Sequence, residues 1–172
     1  MSLKRLRSNR MGFTRYWDIK KSLDPEKFKE FSKACKLVCE AWQEAHIKYY
    51  LSQGDTLENA QHKSGISGWD GSGEPSFADT GICFNGNRSF DKESYDLSHE
   101  TFSIEIGSLG FNFCKTARKP YDKQVEACLY LAEKFFGDSI DIRSDGDNRD
   151  SEVISFVIGY LRDSKLDLLI KE

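Results

Sequence analysis

Between Thr80 and Cys114 the chain offers three extended segments in succession, with no helical pattern between them. Thr80-Gly-Ile-Cys-Phe-Asn85 reads as a strand. Thr101-Phe-Ser-Ile-Glu-Ile106 alternates cleanly, and Gly107-Ser-Leu-Gly110 can turn the chain into the short strand Phe111-Asn-Phe-Cys114. Parallel neighbours need a crossover, usually a helix, so this succession argues for an antiparallel or mixed sheet. Two further strands flank the run. Phe13-Thr-Arg-Tyr-Trp-Asp-Ile19 and Ser139-Ile-Asp-Ile-Arg143 both alternate bulky apolar with polar residues.

Helices account for most of the rest. Asp24-Pro25 has the form of a helix start, because Asp24 can cap and proline is tolerated at the first helical position. Phe28, Phe31, Cys35, Val38 and Trp42 then recur at spacings of three and four, one apolar stripe reaching about Tyr50. Pro120 opens a second helix with Val125, Cys128, Leu129, Ala132 and Phe135 or Phe136 on its apolar face, and Gly137 ends it. Ser151 is placed to cap a short C-terminal helix. The expected fold is α+β: about five strands, with two long amphipathic helices on one face and the short helix last.

Residues 52–79 are rich in glycine and read as a long loop. Gly68-Trp-Asp-Gly-Ser-Gly73 lacks the Gly-Lys-Ser/Thr ending of a phosphate loop, and no strand precedes it. The first ten residues carry four positive charges without an apolar stretch and read as a flexible basic extension ahead of a single domain over 11–172.

Composition sets limits on function. The chain has 172 residues, 38% hydrophobic and 31% charged, which is an ordinary globular balance. Its formal net charge of −3 argues against long nucleic acid as a partner. No apolar run approaches the roughly 20 residues of a membrane span. The five cysteines form no C-x-x-C pair, and the three histidines do not join them at zinc spacing, so neither a disulfide framework nor a metal or cofactor is expected.

Against that acidic background, Lys115-Thr-Ala-Arg-Lys-Pro-Tyr-Asp122 is a basic junction between a strand and a helix start. The first turn of a helix has free N–H groups and a partial positive charge. Lys115, Thr116, Arg118 and Lys119 add donors there, and arginine pairs bidentately with phosphate. A solvated basic turn has the same composition. Tyr16 or Trp17, which a strand directs to opposite faces, or Tyr121, is a candidate to stack a nucleobase. Asp145, in the turn Ser144-Asp-Gly146, is a candidate acceptor, although an Asx turn explains it equally.

These segments resemble a family of small, mostly uncharacterised bacteriophage proteins that open with Met-Gly-Tyr-Thr-x-Tyr-Trp and later carry Phe-Cys-Lys-Thr-Ala-Arg-Lys-Pro-Tyr-Asp. Here the opening is Met11-Gly-Phe-Thr-Arg-Tyr-Trp17, and the later motif matches throughout Phe113–Asp122. Phe84-Asn-Gly86, Glu100-Thr-Phe102 and Ser144-Asp-Gly146 resemble further landmarks in the same order. Phe13 replaces a tyrosine, and residues 52–79 differ. The resemblance implies a phage origin and action in the host cytoplasm. It is compatible with an anti-defence protein that sequesters cyclic di- or trinucleotide immune signals, as a homo-oligomer and without cleaving them. The competing expectations are an enzyme acting on a phosphorylated small molecule, with Asp122, Glu100 or Asp145 as acid or base, and a protein inhibitor of a host factor.

Overall fold

The computed structural model describes residues 12–89, 94–146 and 149–164. The basic extension over residues 1–10 lies outside them. The fold is α+β, with four helices and two antiparallel sheets among the described residues.

Strand β1 (Thr14–Ile19) is the centre of the first sheet, flanked by β6 (Gly110–Lys115) and β7 (Ile140–Ser144). Tyr16 stands opposite Phe113 on one side and Arg143 on the other. The second sheet is built on β4 (Gly81–Gly86), which pairs with β2 (Ile66–Ser67), β3 (Ser76–Ala78) and β5 (Phe102–Glu105). The two sheets meet through aromatic packing: Phe102 lies 5.2 Å from Trp17 and 5.0 Å from Phe84, between ring centroids. The strands expected in sequence are thus divided between two sheets instead of sharing one.

Helix α1 (Pro25–Ser52) begins with Asp24 accepting the Lys27 N–H at 2.8 Å and with proline in its first turn. Its stripe of Phe28, Phe31, Cys35, Val38 and Trp42 is wholly buried. Much of that face packs on α3 (Asp122–Phe136), where Phe31 meets Phe136 at 5.2 Å. Helix α3 starts two residues after Pro120. The Lys123 N–H bonds the Pro120 carbonyl at 3.3 Å and the Asp122 N–H bonds that of Lys119 at 2.9 Å, so a tight turn precedes the helix.

The 52–79 stretch is not a plain loop. It holds helix α2 (Leu57–Ser64) as well as β2 and β3. Only Ala60 and Ser64 of α2 are buried, so it carries no apolar stripe. Its mark in the sequence is the cap Thr56, which accepts the Asn59 N–H at 3.2 Å.

Helix α4 (Ser151–Asp163) is capped by Asp150, not Ser151: the Asp150 carboxylate accepts from Glu152 and Val153 N–H at 3.0 and 3.3 Å. The same carboxylate pairs with Lys123 of α3. That hydrogen bond with Lys123 is the main cause holding the Asp150 carboxyl below its ordinary value of 3.8. A depressed carboxylate contributes stability above its unfolded pKa and loses it as pH falls through the folded value. Asp150→Asn keeps a capping oxygen and removes the charge. It is expected to lower stability at neutral pH, by a margin that is constant above about pH 5 and narrows below about pH 4. Urea denaturation of both proteins across that range measures the margin.

Candidate functional site

The feature that organises the basic junction is a cation buried beneath it. Arg15 sits on β1 with its inward neighbours Phe13, Trp17 and Ile19, and is only 6% exposed. Its guanidinium donates to both Asp122 oxygens, from Nε at 3.0 Å and from Nη2 at 2.7 Å, and from Nη2 to Glu126 at 2.8 Å. Asp122 and Glu126 are four residues apart on α3 and so share one face of it. Thr116 adds a hydroxyl to Asp122 at 2.6 Å. The other Glu126 oxygen accepts the Asp150 N–H at 2.8 Å. Burial alone would lower the Arg15 pKa, but its bonds to Asp122 and Glu126 outweigh that and raise it. The misfit of basic residues near a helix start is therefore partly resolved from within, by carboxylates of the chain itself.

Above this network the chain makes an unusual turn. Ala117 and Arg118 both adopt left-handed backbone, with φ of 51° and 56°. Such a conformation costs a side-chain-bearing residue on the order of 1–3 kcal/mol. It is held by Ala117 N–H to the Phe13 carbonyl and Lys119 N–H to that of Thr116, each at 3.0 Å. The result sets the Arg118 guanidinium over the buried Phe13 ring, 4.4 Å from its centroid. The Arg15 guanidinium is 4.6 Å from the same centroid. Gly146 closes against the ring edge, where a Cβ would come within 3.1 Å of Phe13.

Two depressions of about 300 and 370 Å³ open here and share Arg15, Glu126 and Gly146. Together they form a cleft whose lining includes six cations against three carboxylates among the described residues. Most of the cations are engaged. Lys123 pairs with Asp150, Arg143 with Asp141 at 2.7 Å, and Arg149 with Glu133 at 2.8 Å. Lys119 donates to the Asp96 carbonyl at 2.5 Å. Arg118 is exposed and, among the described residues, has an aromatic ring but no carboxylate as partner.

The residues singled out in the sequence are distributed unevenly around this cleft. Arg118 and Lys119 line it. Thr116 lies behind it, fully buried. Lys115 is exposed at the end of β6, its N–H bonded to the Glu100 carboxylate at 2.7 Å. Tyr121 is buried and donates to the Glu100 carbonyl at 2.6 Å, and Trp17 is core. Neither ring offers a free face. Tyr16 is directed to the outer side of the sheet, where its hydroxyl donates to Asp145 at 2.8 Å. Asp145 also accepts the Thr14 N–H at 2.8 Å, so it ties the β7 turn to β1.

Arg15, Glu126, Arg143 and Arg149 were not singled out by the sequence reading. A signal for Arg15 exists: strand alternation puts it on the same face as Trp17 and Ile19, which calls for a buried carboxylate partner. The buried thiols are poor nucleophiles. Burial pushes Cys114 up to about 12. Cys39 and Cys128, whose sulfurs are 3.7 Å apart, are also raised, Cys39 chiefly by its hydrogen bond to Cys128 and Cys128 chiefly by burial.

Comparison with protein-family models, with curated proteins and with solved structures gave no match to this chain.

Two substitutions separate the network from the turn. Arg15→Ala strands two buried carboxylates and is expected to cost about 3–5 kcal/mol. Ala117→Gly relieves a left-handed residue without touching a side-chain contact and is expected to raise stability by about 1 kcal/mol. Chemical denaturation measures both.

Proposed function

We propose that this protein binds a compact phosphate-bearing ligand, a cyclic di- or trinucleotide, in the cleft beneath Arg118, and holds it without cleaving it. In a phage-infected cell such binding would withdraw an immune signal from its receptor. The observation that carries the reading is Arg118 itself. Its guanidinium is held at the mouth of a cation-rich cleft by a strained backbone and an aromatic ring, and no carboxylate among the described residues neutralises it. Backbone strain of this kind persists where the surrounding structure over-determines it, often at a ligand clamp. Arg143 and Arg149 line the other lobe, so phosphates spaced along one ligand can meet a cation at each end.

Sequestration without turnover is supported by the chemistry of the candidate nucleophiles. The Thr116 hydroxyl is paired with Asp122 but fully buried, out of reach of a ligand. The buried thiols are held protonated. A homo-oligomer would let two clefts enclose a two-fold symmetric ligand.

Calorimetry with a panel of cyclic di- and trinucleotides tests the reading. Binding by at least one is expected, and Arg118→Ala should weaken it about ten- to a hundredfold, the worth of a hydrogen bond to a charged group. Mass spectrometry of the released ligand should find it intact. No binding across the panel, or undiminished binding by the variant, rejects the proposal. A cleaved product moves the protein to the enzyme class.

A further inference from the structure

The outer face of the β6-β1-β7 sheet carries a second arrangement, which shares only Arg143 with the cleft among the described residues. Phe111 and Phe113 alternate outward on β6 and are 68% and 56% exposed. Tyr16 stands opposite Phe113 on β1 and stacks with Phe111, ring centroids 5.9 Å apart at 24°. Phe111 and Phe113 are 6.2 Å apart. The Tyr16 ring is fixed by its hydroxyl bond to Asp145. These rings cover no core, and two neighbouring phenylalanines this exposed on one strand are costly to leave in water.

We propose that this face is a base-stacking platform for short single-stranded nucleic acid. Sheets that read single strands present aromatics from neighbouring strands on the open face, and successive bases lie flat on them. The RNA-reading strand pattern in its general form is a basic residue, Gly, aromatic, small, aromatic, apolar. Here Leu109-Gly-Phe-Asn-Phe-Cys114 has the glycine and the first two aromatics in place, with Leu109 at the basic position, Asn112 at the small one and Thr116 where the full pattern ends in a third aromatic. A second copy of the chain would be expected to meet an unbroken apolar surface. This face is instead interrupted by charges that suit a nucleotide.

Lys115 follows Phe113 on the same side of β6 and has no carboxylate partner for its ammonium group among the described residues. Arg143 stands opposite Tyr16 on β7. The aromatics are thus flanked by Lys115 on one strand and, on the other, by Arg143, whose Nη2 is engaged by Asp141 and whose remaining donors are placed for a second backbone phosphate. Asp141 is neutralised by Arg143 at 2.7 Å and approached by Lys20 at 3.9 Å. Asp18 lines a dent of about 100 Å³ with Tyr16 and Phe111, and has no cation partner among the described residues. A lone carboxylate beside a stacking ring accepts from a base edge that carries two adjacent donors, which singles out guanine.

Fluorescence anisotropy of labelled single-stranded pentanucleotides, RNA and DNA, tests the platform. Binding is expected, strongest for guanine-containing strands. Phe111→Ala and Phe113→Ala lie on the surface and should each weaken it about 5- to 150-fold. Asp18→Asn should remove the guanine preference while keeping binding. Two phosphate contacts predict a shallow salt dependence, with a log–log slope of roughly −1.4. No binding at millimolar protein, or binding unchanged in both phenylalanine variants, overturns the proposal. So does a dimer in sedimentation that both variants disperse, which would make the face a contact between copies. Arg143 borders both the cleft and this face but Arg118 borders only the cleft, so loss of cyclic-nucleotide binding in Arg118→Ala leaves this result independent.

Discussion

The bond from Arg15 to Asp122 and Glu126 is the constraint on which the rest of the structure depends. It joins the central strand of one sheet to the first two turns of the helix that covers it. An ion pair this buried adds little net stability, because desolvating three charges offsets most of the attraction. Its consequence is geometric. Two bonds to Asp122 and one to Glu126 fix the rotation of α3 about its axis and its height along β1. Thr116 and Asp150 extend the same network into the turn before α3 and the start of α4. Three segments distant in sequence are thereby held in one register, and that register brings Arg118, Arg143 and Arg149 around a common opening.

The network also accounts for the turn above it. Thr116 is bonded to Asp122, and the Ala117 N–H is bonded to Phe13. The chain between β6 and α3 therefore has fixed ends and few residues with which to span them. Left-handed backbone at Ala117 and Arg118 is the local cost of that short path. Glycine would relieve it at either position, but at 118 glycine would remove the guanidinium lying over Phe13.

Much of this was readable in the sequence where a pattern repeats. The α1 stripe and the alternation of β1, β5 and β7 each follow from a periodicity of side chains, and their elements form close to the predicted bounds. Helix α2 was not readable, because a short helix with two small buried residues produces no stripe. The division into two sheets was hidden too, since pairing between strands far apart in sequence leaves no local trace. The candidate site was half legible. A charge cluster announces Arg118 and Lys119, yet the carboxylates that engage Arg15 lie 107 and 111 residues away in the chain and the one that engages Lys123 lies 27 away.

Strand β1 shows how one periodicity sets two surfaces at once. Phe13, Arg15, Trp17 and Ile19 are directed inward, where they build the floor of the cleft and the core. Tyr16 and Asp18 are directed outward, where they join Phe111 and Phe113. A slip of one residue in the β1–β6 pairing would exchange these sets. It would leave Arg15 in water, bury Asp18, and strand Asp122 and Glu126 without a cation. The cost of two uncompensated buried carboxylates is several kcal/mol, a large share of the total stability of a domain this size. The buried ion network therefore does what apolar packing alone does weakly: it selects one register among neighbours that are similarly hydrophobic. Both the cation-lined cleft and the aromatic face exist because that selection is made.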